Sequence, residues 1–210
     1  MTTKESPAAI AHALRRYRPL RPVIDAVGPP PASRPIPVAA RYNHLVRAIV
    51  HQQLAGKAAE AIFSRLVSGV GGEITPASIS QTDDATLASF GLSGSKRAAI
   101  IDLTRHVEER RVQLTRHGRL SNDDVIAELV QVRGIGEWTA HMYLMNALAR
   151  PDVWPTGDYG VRNGWSLLHD ISPLITPGAL ATAADDLAPR RSAVAWYCWQ
   201  AVDVARATGR

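Results

Sequence analysis

Residues 132–140 read VRGIGEWTA, a stretch whose residue types suit the binding of an anion. Gly134 and Gly136 allow positive φ and remove side chains from a turn, so that backbone N–H groups at the start of the next helix can meet a phosphate. A plain helix–turn–helix connection also favours glycine, and the two glycines alone leave both interpretations open. An aspartate, Asp158, follows in the stretch PTGDYGVRNG, where a turn or a helix cap would equally use it.

The composition excludes several kinds of site. The single cysteine, Cys198, rules out an internal disulfide framework, a four-cysteine zinc site and a four-cysteine iron–sulfur cluster, so oxygen, nitrogen or ring groups must carry any chemistry. The net charge of +5 suits a polyanionic partner such as nucleic acid. No apolar stretch is long enough for a signal sequence or a membrane span, so we expect no membrane association and a cytoplasmic location.

The elements that must position these residues are predicted to be helices. Apolar residues recur at helical spacing from Tyr42 onward and no alternating strand pattern occurs, so the predicted fold class is all-α. The helix after the VRGIG turn is predicted over 138–148, and a final helix over 192–205. Residues 18–40 are rich in proline and are predicted to be irregular.

Several segments of the chain resemble one family of DNA-repair enzymes. The similar segments are LVRAIVHQQLA (45–55), GLSGSKRAAII (91–101), the hairpin over 129–140, the Gly/Pro-rich loop over 151–164 and RRSAVAWYCW (190–199). They correspond, in order, to the I-x-x-Q-Q-x-S, G-[LM]-x-x-x-K-A, hairpin, loop and W-R-S-x-A-x-x-x-x-W patterns of the helix-hairpin-helix (HhH-GPD) DNA glycosylase superfamily. The match is specific to its 3-methyladenine DNA glycosylase II-like branch.

This resemblance implies an architecture of two helical lobes flanking a DNA-binding cleft. Residues 1–40 would be a Pro-rich N-terminal leader that packs on the body, and residues 41–210 the glycosylase domain of two interleaved lobes. The implied partner is double-stranded DNA that contains damaged bases. The protein is expected to be a monomer that associates with the nucleoid when it is bound to DNA.

The resemblance also assigns the chemistry. Asp158 corresponds to the essential aspartate of the family, which stabilises the oxocarbenium-like transition state at the sugar C1′ of a flipped nucleotide. Trp138 stands where the strand-cutting branches have a lysine that forms a Schiff base, and an indole has no amine for that step. The chain is therefore expected to remove bases without cutting the strand.

Aromatic residues are expected to form the base pocket, because electron-poor alkylated purines bind to aromatic faces by stacking and cation–π attraction. The resemblance assigns Trp138, Tyr159 and Trp199 to the wall. Met142 stands where the inducible bacterial enzymes have a further pocket aromatic, which leaves the substrate range open.

A further group of residues is expected to meet the DNA. The resemblance assigns this role to Gly134, Ile135, Gly136, Thr139, Gln53 and Arg162. Gln53 would fill the duplex gap left by the flipped base, although it could also be part of an ordinary polar helix end. Arg162 would contact a phosphate or pair with an acid. Relatives also suggest a structural Na⁺ or K⁺ on the backbone carbonyls of Val132 and Ile135, and no other cofactor is expected.

The predicted function is thus a monofunctional DNA glycosylase of base excision repair. It would hydrolyse the N-glycosidic bond of alkylated bases such as 3-methyladenine and leave an abasic site. Two alternatives remain at this stage: a non-catalytic DNA-binding protein that keeps the hairpin, and a glycosylase for deaminated or oxidised bases.

Overall fold

The computed structural model describes residues 5–209, and within this range all regular structure is helical. The α-helices are α1 (Pro7–Leu14), α2 (Arg21–Val27), α3 (Ala40–His51), α4 (Gly56–Gly69), α5 (Pro76–Ser80), α6 (Asp84–Ser89), α7 (Gly94–Glu108), α8 (Asn122–Leu129), α9 (Glu137–Asn146), α10 (Tyr159–Leu168), α11 (Pro177–Ala183) and α12 (Arg191–Ala207). Short 3₁₀ turns occupy Arg18–Leu20 and Asp185–Leu187. The all-α prediction is confirmed for the described residues.

Short polar side chains fix where many of these helices begin. The N-cap side chains that accept a hydrogen bond from the first turn are Ser6, Thr75, Asp83, Ser93, Ser121, Asp158 and Thr176. Each satisfies a backbone N–H that has no partner within the helix. The structure corrects one expectation, because residues 18–40 are not wholly irregular: Pro22 lies in the first turn of α2, where a missing N–H costs nothing.

Contacts divide the chain into two compact units, the first comprising residues 1–34 and 149–210 and the second residues 35–148. The segment before residue 35 therefore belongs with the C-terminal helices. In this first unit, α2 packs against α12, and the Tyr197 hydroxyl donates to the carbonyl of Gly28 at 3.0 Å. Helices α10 and α12 form the main contact, and Trp165 of α10 is buried in the core.

The second unit is built around α3, which packs against α4, α7 and α9. Its buried face carries four aliphatic side chains, Leu45, Val46, Ile49 and Val50. Burial of a side chain of this size stabilises a fold by about 1.5–3 kcal/mol. The Tyr42 hydroxyl bonds to Thr104 Oγ1 of α7 at 2.6 Å and so ties the two helices together beside this core.

A glycine determines how closely α10 and α12 approach. A Cβ added at Gly164 would lie 1.9 Å from the backbone oxygen of Cys198, so the Gly164→Ala substitution must push the helices apart. We expect it to lower the free energy of unfolding by about 3 kcal/mol or more, measured by urea denaturation. Gly178→Ala is the matched control in α11, since a Cβ there meets nothing within 4 Å, and it should not destabilise the fold. Equal stability of the two variants would contradict this account of the α10–α12 contact.

Candidate functional site

The VRGIG hairpin connects α8 to α9 in the second unit. Its turn is closed by the Ile135 amide, which donates to the Val132 carbonyl at 3.0 Å, and the Ile135 side chain is buried beneath it. Gly134 adopts φ +78°, and a Cβ there would lie 3.0 Å from the Cβ of Ala99 on α7. Position 134 therefore requires glycine both for its backbone conformation and for its packing.

The hairpin presents backbone donors at the start of α9. Among residues 5–209, the amides of Gly134 and Gly136 meet no acceptor, and Gly136 is the N-cap of α9. The neighbouring amide of Arg133 is already engaged, because it donates to Asp102 Oδ2 at 2.8 Å. Free glycine amides at a helix N-terminus suit an anion, which supports the phosphate interpretation of the glycines.

Glu137, the first residue of α9, has an exposed side chain directed along the helix. Its carboxylate lies 3.8 Å from His141 Nε2, one turn further on. Burial lowers the pKa of His141, while the Glu137 charge raises it. The Glu137 carboxylate thus lies beside His141, one helical turn into α9. The amides of Gly134 and Gly136 lie before the first residue of α9.

Gln53 lies just beyond the end of α3, where the chain turns into a left-handed conformation with φ +57°. Its side chain is exposed, as a residue that fills a duplex gap must be. The preceding residue, Gln52, points the other way: its Nε2 donates to the carbonyl of Gly134 at 2.9 Å and lies 3.5 Å from Thr139 Oγ1. Thr139 is buried and so supports Gln52, although it was expected to meet DNA directly.

A cavity of about 590 Å³ lies beside these residues within the second unit. It is lined by His44, Arg47, Ala48, His51, Gln52, Gln53, Gly134, Trp138, Thr139, Met142 and Asn146. Five predicted site residues therefore line one cavity, namely Gln53, Gly134, Trp138, Thr139 and Met142. Trp138 is 52% exposed, which leaves much of its indole accessible.

Basic residues from α3 also line this cavity, although none of them was predicted as a site residue. Arg47 pairs with Glu60 at 2.6 Å, so its charge is largely balanced. His44 is half-buried, and burial together with nearby Arg47 lowers its pKa, which favours the neutral imidazole. The available signal was the i, i+3, i+7 spacing of His44, Arg47 and His51, which places them on one helix face.

Asp158 lies in the first unit and is the N-cap of α10. Its Oδ1 accepts from the Val161 amide at 2.7 Å and from Trp199 Nε1 at 2.9 Å, and the residue is 9% exposed. The capping role that the sequence left open is therefore real. It is compatible with catalysis, because the two donors hold the carboxylate in one orientation at a helix N-terminus.

The other predicted residues of the first unit have distinct surroundings. Tyr159, directly after Asp158, is 65% exposed. Trp199 directs its indole N–H at Asp158, and Arg162 donates from Nε to the carbonyl of Ile175 at 2.7 Å. Arg162 is thus engaged with backbone, a partner that the sequence analysis did not consider. That Tyr159 and Trp199 line a base pocket with residues of the second unit stays a prediction.

An ion pair anchors the loop that leads to Asp158. Asp152 accepts two hydrogen bonds from the Arg191 guanidinium, at 2.8 and 2.7 Å, where α12 begins. Beside it, the Val153 amide donates to Ser192 Oγ at 2.9 Å. The Arg191 hydrogen bonds lower the pKa of Asp152. The loop is therefore fastened to the helix that carries Trp199.

Two features are absent from residues 5–209. No group of three or more His, Cys, Asp or Glu side chains is arranged to hold a metal ion. No helix in this range has the length and apolar character needed to cross a membrane.

Comparisons with known proteins place this geometry in context. Residues 46–190 match the family model described as HhH-GPD superfamily base excision DNA repair protein. The chain is 36% identical over 166 residues to DNA-3-methyladenine glycosylase 1 of Schizosaccharomyces pombe, covering 76% of this chain and 71% of that protein.

Two solved structures are similar over most of the chain. A DNA-3-methyladenine glycosidase from Bacillus halodurans has a TM-score of 0.84 at 30% identity, covering 96% of this chain and 92% of that one. The 3-methyladenine DNA glycosylase of S. pombe in complex with abasic DNA has a TM-score of 0.74 at 33% identity, covering 86% and 89%.

The Asp152–Arg191 pair makes stability depend on pH. Because the folded-state pKa of Asp152 is lowered, its contribution is present above the ordinary carboxyl pKa and is lost as pH falls through the folded value. We expect Asp152→Asn to cost about 2 kcal/mol near pH 7 and much less near pH 2, by urea denaturation. The control Asp203→Asn removes an exposed carboxylate 3.9 Å from Arg206 and should cost under about 0.5 kcal/mol. A pH-independent loss in Asp152→Asn would argue against the ion pair.

Proposed function

Because the chain belongs to the HhH-GPD superfamily of base excision DNA repair proteins, we propose that it is a monofunctional DNA glycosylase that removes alkylated bases such as 3-methyladenine. The observation that carries the proposal is Asp158. It is held by Val161 and Trp199 at the start of α10, in a chain similar to DNA-3-methyladenine glycosylases. Capping α10 is one role of this carboxylate, and the similarity of the chain to glycosylases supports catalysis as a second.

The reaction needs one carboxylate and one water. As the C1′–N bond breaks, positive charge develops on the sugar, and the Asp158 carboxylate stabilises it electrostatically. The water oxygen then bonds to C1′ and releases a proton, which leaves an abasic site. A cationic alkylated base departs as a neutral molecule, so no acid is needed to protonate it.

The base itself would be bound by the cavity beside α9. The accessible indole of Trp138 offers a π-face to a cationic purine. His44 opposes that charge little, because its lowered pKa favours the neutral imidazole. Met142 supplies a polarisable but non-aromatic wall, which keeps deaminated or oxidised bases open as substrates.

The DNA backbone would be held by the hairpin. The amides of Gly134 and Gly136 suit one phosphate, and Gln53 would fill the gap left by the flipped base. We also propose that the backbone carbonyls of Val132 and Ile135 bind a monovalent cation, for which the Val132 oxygen keeps a lone pair beyond its bond from the Ile135 amide. Such an ion would add positive charge opposite the phosphate. We further propose that the protein acts as a monomer on damaged double-stranded DNA, in the cytoplasm and on the nucleoid.

Asp158→Asn tests the catalytic role with little change in structure. Asparagine keeps an oxygen that can accept from Val161 and Trp199 but lacks the charge, so folding should persist while base release slows by about 100-fold or more. The measurement is single-turnover release of free base from methylated duplex DNA.

The matched control is Asp170→Asn, an exposed aspartate at φ +52°, a conformation that asparagine adopts readily. Its rate should equal that of the native protein. If the native protein binds duplex DNA but frees no alkylated base, the binder alternative or another lesion class replaces the proposal.

The absence of an amine at Trp138 gives a second test. Borohydride traps a Schiff base between enzyme and sugar, and we expect no covalent protein–DNA adduct with this protein. Strand breaks should appear only after alkali treatment of the abasic product. An adduct, or breaks under neutral conditions, would show lyase activity and contradict the monofunctional assignment.

A further inference from the structure

The chain segment that carries Gln53 is held by a lysine from another helix. Lys96, in the first turn of α7, donates from Nζ to the carbonyls of Val50 and Gln52, at 2.5 and 2.9 Å. These carbonyls belong to the last turn of α3 and its C-cap, where helix carbonyls lack intrahelical partners and a cation is favoured. Lys96 therefore closes the end of α3 immediately before Gln53.

The same face of α7 supports the hairpin. One turn after Lys96, Ala99 lies against Gly134. A Cβ added at Gly134 would be 3.0 Å from the Ala99 Cβ. One further turn along, Asp102 accepts the Arg133 amide at 2.8 Å. Lys96, Ala99 and Asp102 of α7 thus contact the end of α3 and the hairpin, the two segments that are expected to meet DNA.

A direct bond closes this arrangement. The Gln52 side chain donates to the Gly134 carbonyl at 2.9 Å, while the Gln52 carbonyl accepts from Lys96. Gln52 therefore links the segment before Gln53 to the hairpin, and Lys96 holds Gln52 in place. The next residue, Gln53, adopts a left-handed backbone conformation directly after this braced segment.

We propose that Lys96 is a positioning residue for base flipping: by holding the end of α3, it keeps Gln53 at the place from which it enters the duplex. This inference rests on the proposed function, because Gln53 matters only if a base leaves the stack. Burial lowers the pKa of Lys96, so the positioning role depends on the two hydrogen bonds to the carbonyls and not on the charge alone.

Two other roles for Lys96 predict different behaviour. If Lys96 bound a DNA phosphate, its loss would weaken binding and reduce the salt dependence, with the rate at saturating enzyme unchanged. If Lys96 only stabilised the fold, its loss would slow release from every DNA equally. A positioning residue instead affects the step that Gln53 performs and no other.

The experiment is a double-mutant cycle on single-turnover base release from duplex DNA with saturating enzyme. Lys96→Met and Gln53→Ala should each slow release by about tenfold or more, and the double variant should be no slower than the slower single variant. Lys96→Arg should restore most of the rate, because a guanidinium can also donate to both carbonyls. Arg119→Met, which removes an exposed charge between α7 and α8, should match the native protein.

A second substrate separates positioning from stability. When the damaged base is mispaired, extrusion costs less, so the defect of Lys96→Met should shrink to a few-fold. Equal slowing on paired and mispaired DNA, additivity with Gln53→Ala, or a change in affinity alone would each overturn the inference.

Failure of the proposed function would be recognised separately. If the native protein frees no base, 2-aminopurine fluorescence next to an abasic-site analogue in a duplex still reports whether Gln53 enters the stack. Fluorescence that depends on both Lys96 and Gln53 would support the inference without turnover. A signal unaffected by Lys96→Met would overturn it.

Discussion

The close approach of α10 and α12 determines the geometry around Asp158. With no side chain at Gly164, the α10 backbone reaches the backbone of Cys198, and the next residue of α12 is Trp199. In this packing the Trp199 indole N–H meets the Asp158 carboxylate at the N-terminus of α10, 2.9 Å from Oδ1. Burial raises the pKa of the Cys198 thiol, so the cysteine at this contact is an inert packing residue. Helix packing and site geometry are therefore linked, and Gly160 adds to the link, since a Cβ there would lie 2.8 Å from the Trp199 ring.

The sequence predicted the parts of this site whose signals are local. Helical spacing gave the all-α fold, and the order of the segments placed Asp158 after the hairpin. The sequence presents helix capping and catalysis as alternative roles for Asp158. In the structure the two roles are compatible, because both use the same carboxylate at the same helix terminus. The α2 helix was missed because prolines were interpreted as breakers, whereas Pro22 occupies the one turn where proline is tolerated.

Contacts between distant residues could not be predicted in this way. The bonds of Lys96 to the end of α3 and of Gln52 to Gly134 join residues more than 40 positions apart, and they involve backbone carbonyls that carry no sequence signature. The same holds for the bond from Trp199 to Asp158, because the resemblance assigns Trp199 only to a pocket wall. Its ring type suits stacking, but the indole N–H also requires a partner when it is part-buried, and Asp158 provides one.

The energetics explain why the end of α3 needs such bracing. A left-handed conformation at a residue with a side chain, such as Gln53, costs about 1–2 kcal/mol. A hydrogen bond to a charged group contributes about 1.5–3 kcal/mol, so even one of the two Lys96 bonds offsets this strain. The conformation is already formed before DNA binds. The segment therefore loses its conformational entropy when the protein folds, and this loss does not add to the free energy needed for base extrusion. If Gln53 fills the duplex gap as we propose, only its side chain then has to move.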